Sequence, residues 1–201
     1  MNTQNGGSDP SSAADSDDFD GYKFRIVLLG EATVGKTSLL RRYTENVFDE
    51  SYKQTIGTTF ASHDVSVTDD EGTTRDVRLV IWDMGGQATY RELRRQFMKG
   101  ASGAIIVYDV TKPETFMAMN NWYESFREVC PQASAVICAN KVDLEGERMV
   151  PVEPGLMLRD WFQATYFETS AKTGQRVADV FARIAEIVMS KTLTESRGPT
   201  M

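Results

Sequence analysis

A chain of 201 residues, 41% hydrophobic and 25% charged, suits one globular domain with a full core and short extra ends. Its net charge of −7 leaves no basic field for phosphate backbones, so no nucleic acid is expected as a partner. Cys130 and Cys138 form neither a disulfide frame nor a C-x-x-C metal pair, no apolar run approaches the ~20 residues that span a bilayer, and no secretory signal opens the chain, so a reducing, intracellular setting fits.

Residues 1–20 are rich in Gly, Ser, Asp and Asn and hold five acids before the first basic residue, Lys23. Such a segment buries too little to offset the entropy of ordering and reads as a disordered acidic tail. The domain proper is expected over 21–191, with a short flexible tail over 192–201. Tyr22–Leu29 reads as a buried strand. It runs into Gly30-Glu31-Ala32-Thr33-Val34-Gly35-Lys36-Thr37, the G-x-x-x-x-G-K-[ST] pattern, and a helix is expected over Lys36–Asn46. Strand, loop and helix in that order are the setting of a phosphate-binding loop. Backbone N–H groups from Gly30 to Thr37 converge on phosphate oxygens, helped by the helix that starts at Lys36 and continues through Ser38. Lys36 reaches the terminal phosphates and the Thr37 hydroxyl holds Mg²⁺.

Val47–Thr59 is polar and irregular. Phe60–Thr68 and Arg75–Trp82 are strand candidates joined by a turn-rich stretch, Asp69–Thr74. His63, the only histidine, falls in the first of them and is expected to pack or face solvent. Ala104–Tyr108, Ala135–Ala139 and Thr165–Glu168 are further strand candidates. Helical patterns cover Thr89–Lys99, Pro113–Val129, Glu153–Phe162 and Arg176–Met189. Short apolar strands alternating with helices imply an α/β domain, a mostly parallel sheet with helices on both faces. Ligands of such sheets sit at the carboxyl ends of the strands.

Three motifs stand at those ends. Asp83-Met84-Gly85-Gly86-Gln87 supplies an acid for Mg²⁺, a Gly86 N–H for a terminal phosphate, and a Gln87 amide able to orient a water. Asn140-Lys141-Val142-Asp143 supplies a carboxylate that accepts from both guanine N1–H and the exocyclic amine, a donor pair that adenine lacks. Thr169-Ser170-Ala171-Lys172 supplies a backbone N–H for the guanine carbonyl.

On these motifs, in this order, the chain resembles the Ras superfamily of small GTPases, and within it the Rab family most. The resemblance runs from Tyr22 to Met189 and includes Thr55-Ile56-Gly57, Trp82 before the acid, and Tyr108-Asp109-Val110-Thr111. It implies a G domain of the P-loop NTPase type, with a six-stranded sheet and one antiparallel edge strand. It implies that GTP and GDP bind with Mg²⁺ and that GTP is hydrolysed slowly unless an activating protein assists. Thr55 then matches the threonine that holds Mg²⁺ and the γ-phosphate, together with Thr37 and Asp83. Phe48 matches the aromatic against the guanine, and Tyr52 the tyrosine that closes over the phosphates. Gln87 and Lys36 carry catalysis. Phe60, Trp82 and Phe97 match an aromatic triad that meets effectors, while exchange factors and activating proteins use the two switch segments. A switch in vesicle trafficking, cytosolic or peripheral on an endomembrane, follows from the same resemblance.

The chain departs from the family pattern in four places. Ala32 stands where many relatives have glycine, which points to slow hydrolysis and keeps open a second reading, a GTP-dependent binding module with negligible turnover. An ATP-using transferase shares the phosphate loop but not Asn140–Asp143. Gly85 beside Gly86 is expected to loosen the second switch. The Phe60–Trp82 hairpin is longer than usual. No cysteine follows Cys138 and residue 2 is Asn, so no lipidation motif is visible.

Overall fold

The computed structural model describes residues 19–50, 55, 57–69, 71–85 and 91–197. Six strands form one sheet: β1 (Tyr22–Leu29), β2 (Thr58–Thr68), β3 (Thr74–Met84), β4 (Gly103–Asp109), β5 (Ser134–Asn140) and β6 (Thr165–Thr169). Their order is β2-β3-β1-β4-β5-β6, parallel throughout except for β2, which pairs antiparallel with β3 at the edge. The helices are α1 (Lys36–Glu45), α2 (Arg91–Met98), α3 (Pro113–Met117), α4 (Met119–Val129), α5 (Val152–Phe162) and α6 (Val177–Arg197).

The alternation of side chains along each central strand divides the interior into two cores. On β1, Phe24, Ile26 and Leu28 join α1 and α6 on one face. Val27 and Leu29 join α2, α4 and α5 on the other. The strands β4 and β5 divide the same way, Ile105 and Val107 against Ile106 and Tyr108, and Cys138 against Ile137. Both faces are therefore apolar, and the strands read as unbroken runs.

The helix expected over Pro113–Val129 is two helices. Ala118 separates them, although its backbone stays in the right-handed region at φ −75° and ψ −11°. The flexible end expected over 192–201 is helical as far as Arg197. Leu193 packs against the core, Lys191 Nζ donates to the Gln132 carbonyl, and Arg197 pairs with Glu71 of the β2–β3 turn at 2.8 Å. The Thr- and Ser-rich sequence there has weak intrinsic helix preference, and these tertiary contacts override it. At the other end, Phe19, expected in the disordered tail, lies 4.2 Å from the Arg78 guanidinium. Residues 1–18 and 198–201 of the two expected tails lie outside the described residues. His63 is half-buried on β2 and packs on Tyr43, ring centroids 4.4 Å apart.

Both cysteines are buried. Cys138 shares a 2.9 Å hydrogen bond with the Thr169 hydroxyl, and burial pushes its thiol up to about 12. Cys130 Sγ donates to the Met98 carbonyl at 2.9 Å. Neither should react with a thiol reagent such as DTNB in the native chain, and both should react once it is unfolded. A fast native phase of one thiol per chain would contradict this packing.

Candidate functional site: a nucleotide cleft at the carboxyl ends of the strands

A cleft of about 380 Å³ opens where β1, β3, β5 and β6 end. Ala32, Thr33, Gly35, Lys36, Thr37 and Ser38 line it from the phosphate loop and the start of α1. Phe48 and Thr55 line it from the segment before β2, and Asn140, Lys141, Asp143, Ala171 and Lys172 from the loops after β5 and β6. Gly30 and the fully buried Val34 form the floor of the loop rather than its wall. Tyr52, Gly86 and Gln87 lie outside the described residues.

The phosphate loop is shaped by its own lysine. Lys36 Nζ donates to the carbonyls of Gly30 and Glu31, each at 2.7 Å, which curls the loop around the ammonium. Burial pushes this lysine down to about 8, against the opposing pull of Asp83 and Glu31. Gly35 sits at φ 99°, and a Cβ there would lie 2.3 Å from Asn140 Nδ2. Thr33 has φ 68°, costly for a β-branched residue, with its hydroxyl held by Lys112 Nζ at 3.2 Å.

Asp83, at the end of β3, is fully buried. Its Oδ2 accepts from the Thr37 hydroxyl, and Thr37 Oγ1 lies 2.7 Å from Thr55 Oγ1. Among the described residues its Oδ1 has no hydrogen-bond partner. Burial raises this carboxyl above the ordinary aspartate range, with Thr37 and Lys36 pulling the other way. An orphaned buried carboxylate oxygen beside two hydroxyls fits a hard divalent cation that takes its remaining ligands from phosphate and water.

Asn140 joins the two halves of the cleft. Its Nδ2 donates to the Val34 carbonyl at 2.8 Å, and its Oδ1 accepts from Ala171 N and Thr169 Oγ1, each at 3.2 Å. Asp143 Oδ1 accepts from Ser170 Oγ at 2.5 Å, so Ser170 braces the carboxylate from behind. Lys141, at φ 71°, places its ammonium 2.6 Å from Asp109 Oδ2 at the end of β4. Arg42 of α1 donates to the carbonyls of Ala171 at 2.9 Å and Lys172 at 2.7 Å. The cleft is thus one connected piece, with an oxygen cluster at one end and a braced carboxylate at the other.

A family model described as Ras family matches residues 25–190. The chain is a Rab-like GTPase of the Ras family. It is 36% identical over 192 residues to the Ras-related protein Rab-3D of Mus musculus, 95% of this chain and 84% of that protein. It is 34% identical over 171 residues to the Ras-related protein Rab-3 of Caenorhabditis elegans, 85% and 76% of the two chains. It is 35% identical over 192 residues to the GTP-binding protein Rab-3D of Rattus norvegicus, 95% and 84%.

This Rab-like GTPase hydrolyses GTP, the activity of its family, on the six-stranded fold expected from its sequence. Gly85 links two segments at the start of the second switch, whose residues 86–90 lie outside the described residues. Its N–H donates to the Gly57 carbonyl at 3.1 Å, and a Cβ on it would lie 2.8 Å from the Thr55 carbonyl. The aromatics Phe60, Trp82 and Phe97 form a ladder across β2, β3 and α2, with ring centroids 5.6 Å apart at each step. Phe60, 49% exposed, is its outer rung, and Arg25 lies 5.0 Å from the Trp82 ring.

Sequence reasoning missed Asp109, Glu31 and Trp122 of this Rab-like GTPase. Asp109 had a readable signal, an acid at a strand's carboxyl end like Asp83. Nothing local marks Trp122, whose Nε1 donates to Glu31 Oε1 at 2.9 Å across 91 residues of chain.

Proposed function

We propose that the cleft binds GTP and GDP with Mg²⁺, and that the chain acts as a nucleotide-dependent switch at the cytosolic face of an endomembrane, in vesicle trafficking. The observation that carries the reading is Asn140, which bonds the phosphate loop at Val34 and the base loop at Ala171 with one side chain. Phosphates lie along the loop N–H groups, with Lys36 offsetting their charge. Asp143 accepts from the guanine edge, Ala171 N–H and Lys172 flank the base, and Phe48 and the Lys141 stem cover its faces. Thr37, Thr55 and Asp83 hold Mg²⁺. When bound, that ion neutralises charge on the β- and γ-phosphate oxygens.

Hydrolysis is then positioning and electrostatics, with no covalent nucleophile from the chain. Gln87 orients the attacking water, Gly86 meets the γ-phosphate, and Tyr52 closes over the phosphates; these three roles rest on the motifs. Ala32, on the cleft wall, crowds the approach of the water and makes intrinsic turnover slow. Contacts from Thr55 and Gly86 order two switch segments in the triphosphate state and release them afterwards. The partners are an effector on the Phe60–Trp82–Phe97 ladder, and an exchange factor and an activating protein on the switches. An exposed aromatic rung on a packed base favours such a partner surface. Among the described residues no helix is long and apolar enough to cross a membrane.

The test is direct. Purified chain, denatured and run on HPLC, should release about one guanine nucleotide and no adenine nucleotide. Chelation of Mg²⁺ with EDTA should speed GDP release at least about tenfold, the ratio given by about 1.4 kcal/mol. Nucleotide-free protein that prefers ATP would overturn the reading.

A further inference from the structure

Trp122 sits on α4 and is 6% exposed. A buried indole N–H needs an acceptor. Here it is the side chain of Glu31, the second residue of the phosphate loop. The main-chain carbonyl of the same Glu31 accepts from Lys36 Nζ at 2.7 Å. Glu31 is therefore held at both ends, by the lysine through its backbone and by the indole through its carboxylate. The face of that indole carries Arg94 of α2, with the guanidinium carbon 4.4 Å from the ring centroid. Arg94 is also near enough to Lys36 for their like charges to act on each other. Three elements far apart in sequence meet on one ring: the phosphate loop, α2 and α4. A second tie between α2 and α4, Arg95 to Glu128 at 2.6 Å, is solvent-exposed. Docking of α2 thus has a rim component and a component that reaches the phosphate loop.

We propose that Arg94, Trp122 and Glu31 form a clasp between α2 and the phosphate loop that sets how fast bound nucleotide leaves. All three are positioning residues: they act through the loop backbone and through Lys36. A stacked guanidinium fixes the plane of the indole, the indole fixes the Glu31 carboxylate, and Glu31 fixes one of the two carbonyls around which Lys36 curls the loop. Any movement of α2 that lifts Arg94 off the ring loosens that carbonyl, so a partner that grips α2 can alter nucleotide retention without touching the nucleotide. The inference rests on nucleotide binding at the phosphate loop, as proposed above.

The test measures dissociation of a fluorescent GDP analogue, in Mg²⁺, from the full-length chain. Arg94→Ala removes the cation from the ring and should speed dissociation about 3- to 30-fold, the range expected for a partly desolvated cation–π contact. Arg94→Lys keeps a cation over the ring and should restore the rate to within about twofold of the parent. Arg95→Ala should also stay within about twofold, since the pair it breaks is exposed at the rim. Trp122→Phe should speed release as Arg94→Ala does, and the double variant should be no faster than the quicker single one, because both break one connected unit. With Trp82 and Trp161 replaced by Phe, the emission of Trp122 should differ between GDP and a non-hydrolysable GTP analogue, and Arg94→Ala should remove the difference. Arg94 is partly exposed, so its variants should fold even where Trp122→Phe does not. The clasp is overturned if Arg94→Ala releases GDP within twofold of the parent, or if Arg95→Ala speeds release as much. A parent chain that retains no guanine nucleotide overturns the function proposed above, and the clasp falls with it.

Discussion

Replacement of Asp143 by asparagine should cost the chain about 10²–10⁴-fold in GTP and GDP affinity, the loss of two hydrogen bonds to a charged acceptor at about 1.5–3 kcal/mol each. The carboxylate is braced at Oδ1 by Ser170, and asparagine keeps an oxygen to accept that bond, so the fold should be untouched. The damage is specific to the base. An amide nitrogen placed opposite the guanine exocyclic amine sets donor against donor. Xanthine carries a carbonyl at that position, and the same amide donates to it. Asp143→Asn should therefore gain xanthine nucleotide binding as it loses guanine. Titration with fluorescent GDP and XDP analogues reads both changes, and an unaltered melting temperature separates them from misfolding. Equal losses for the two bases would mean that Asp143 is structural and does not face the base edge.

Gly35→Ala should have the second large effect, and through backbone rather than chemistry. Gly35 lies at φ 99°, and a new Cβ would fall 2.3 Å from Asn140 Nδ2. Two costs combine. A non-glycine residue in the left-handed region costs about 1–2 kcal/mol. Pushing Asn140 away leaves the Val34 carbonyl and the amide unpaired, about 1–3 kcal/mol more. In a domain of this size the sum lowers the melting temperature by about 5–15 °C. The stabilisation conferred by saturating GDP and Mg²⁺ should shrink as well, since Asn140 is the bond between the phosphate and base halves. Gly146→Ala is the control, because a Cβ there meets nothing within 4 Å. If Gly35→Ala melts like Gly146→Ala, Asn140 does not set the loop geometry.

The sequence showed most of the fold and both ends of the site, for one physical reason. Parallel strands buried on both faces read as apolar runs, and residues just past each run must gather at one edge of the sheet. Lys36, Asp83, Asn140 and Asp143 could be placed together on that ground alone. The connections between them could not. Asn140 reaches Val34 across 106 residues, and Trp122 reaches Glu31 across 91. No period or spacing encodes such pairs. Ends of elements failed where tertiary contacts overrode local preference: α6 continues to Arg197 on the strength of Leu193, Lys191 and the Arg197–Glu71 pair. Gly85 shows the same limit: its missing Cβ permits a close approach of the Thr55 carbonyl, a contact between segments that no local pattern announces.

The phosphate loop hangs from β1, whose last four residues are fully buried and which has a strand on either side. Thr55 leads instead into β2, the antiparallel edge, half of it open to solvent. Amide protons at the end of β1 should therefore exchange only with global opening, while those at the start of β2 exchange through local fraying. The cleft brings these extremes within one hydrogen bond, Thr37 to Thr55. One wall is as rigid as the molecule allows and the other is held largely by what it touches, which is how a ligand as small as one phosphate group can move one side of a protein and leave the other still.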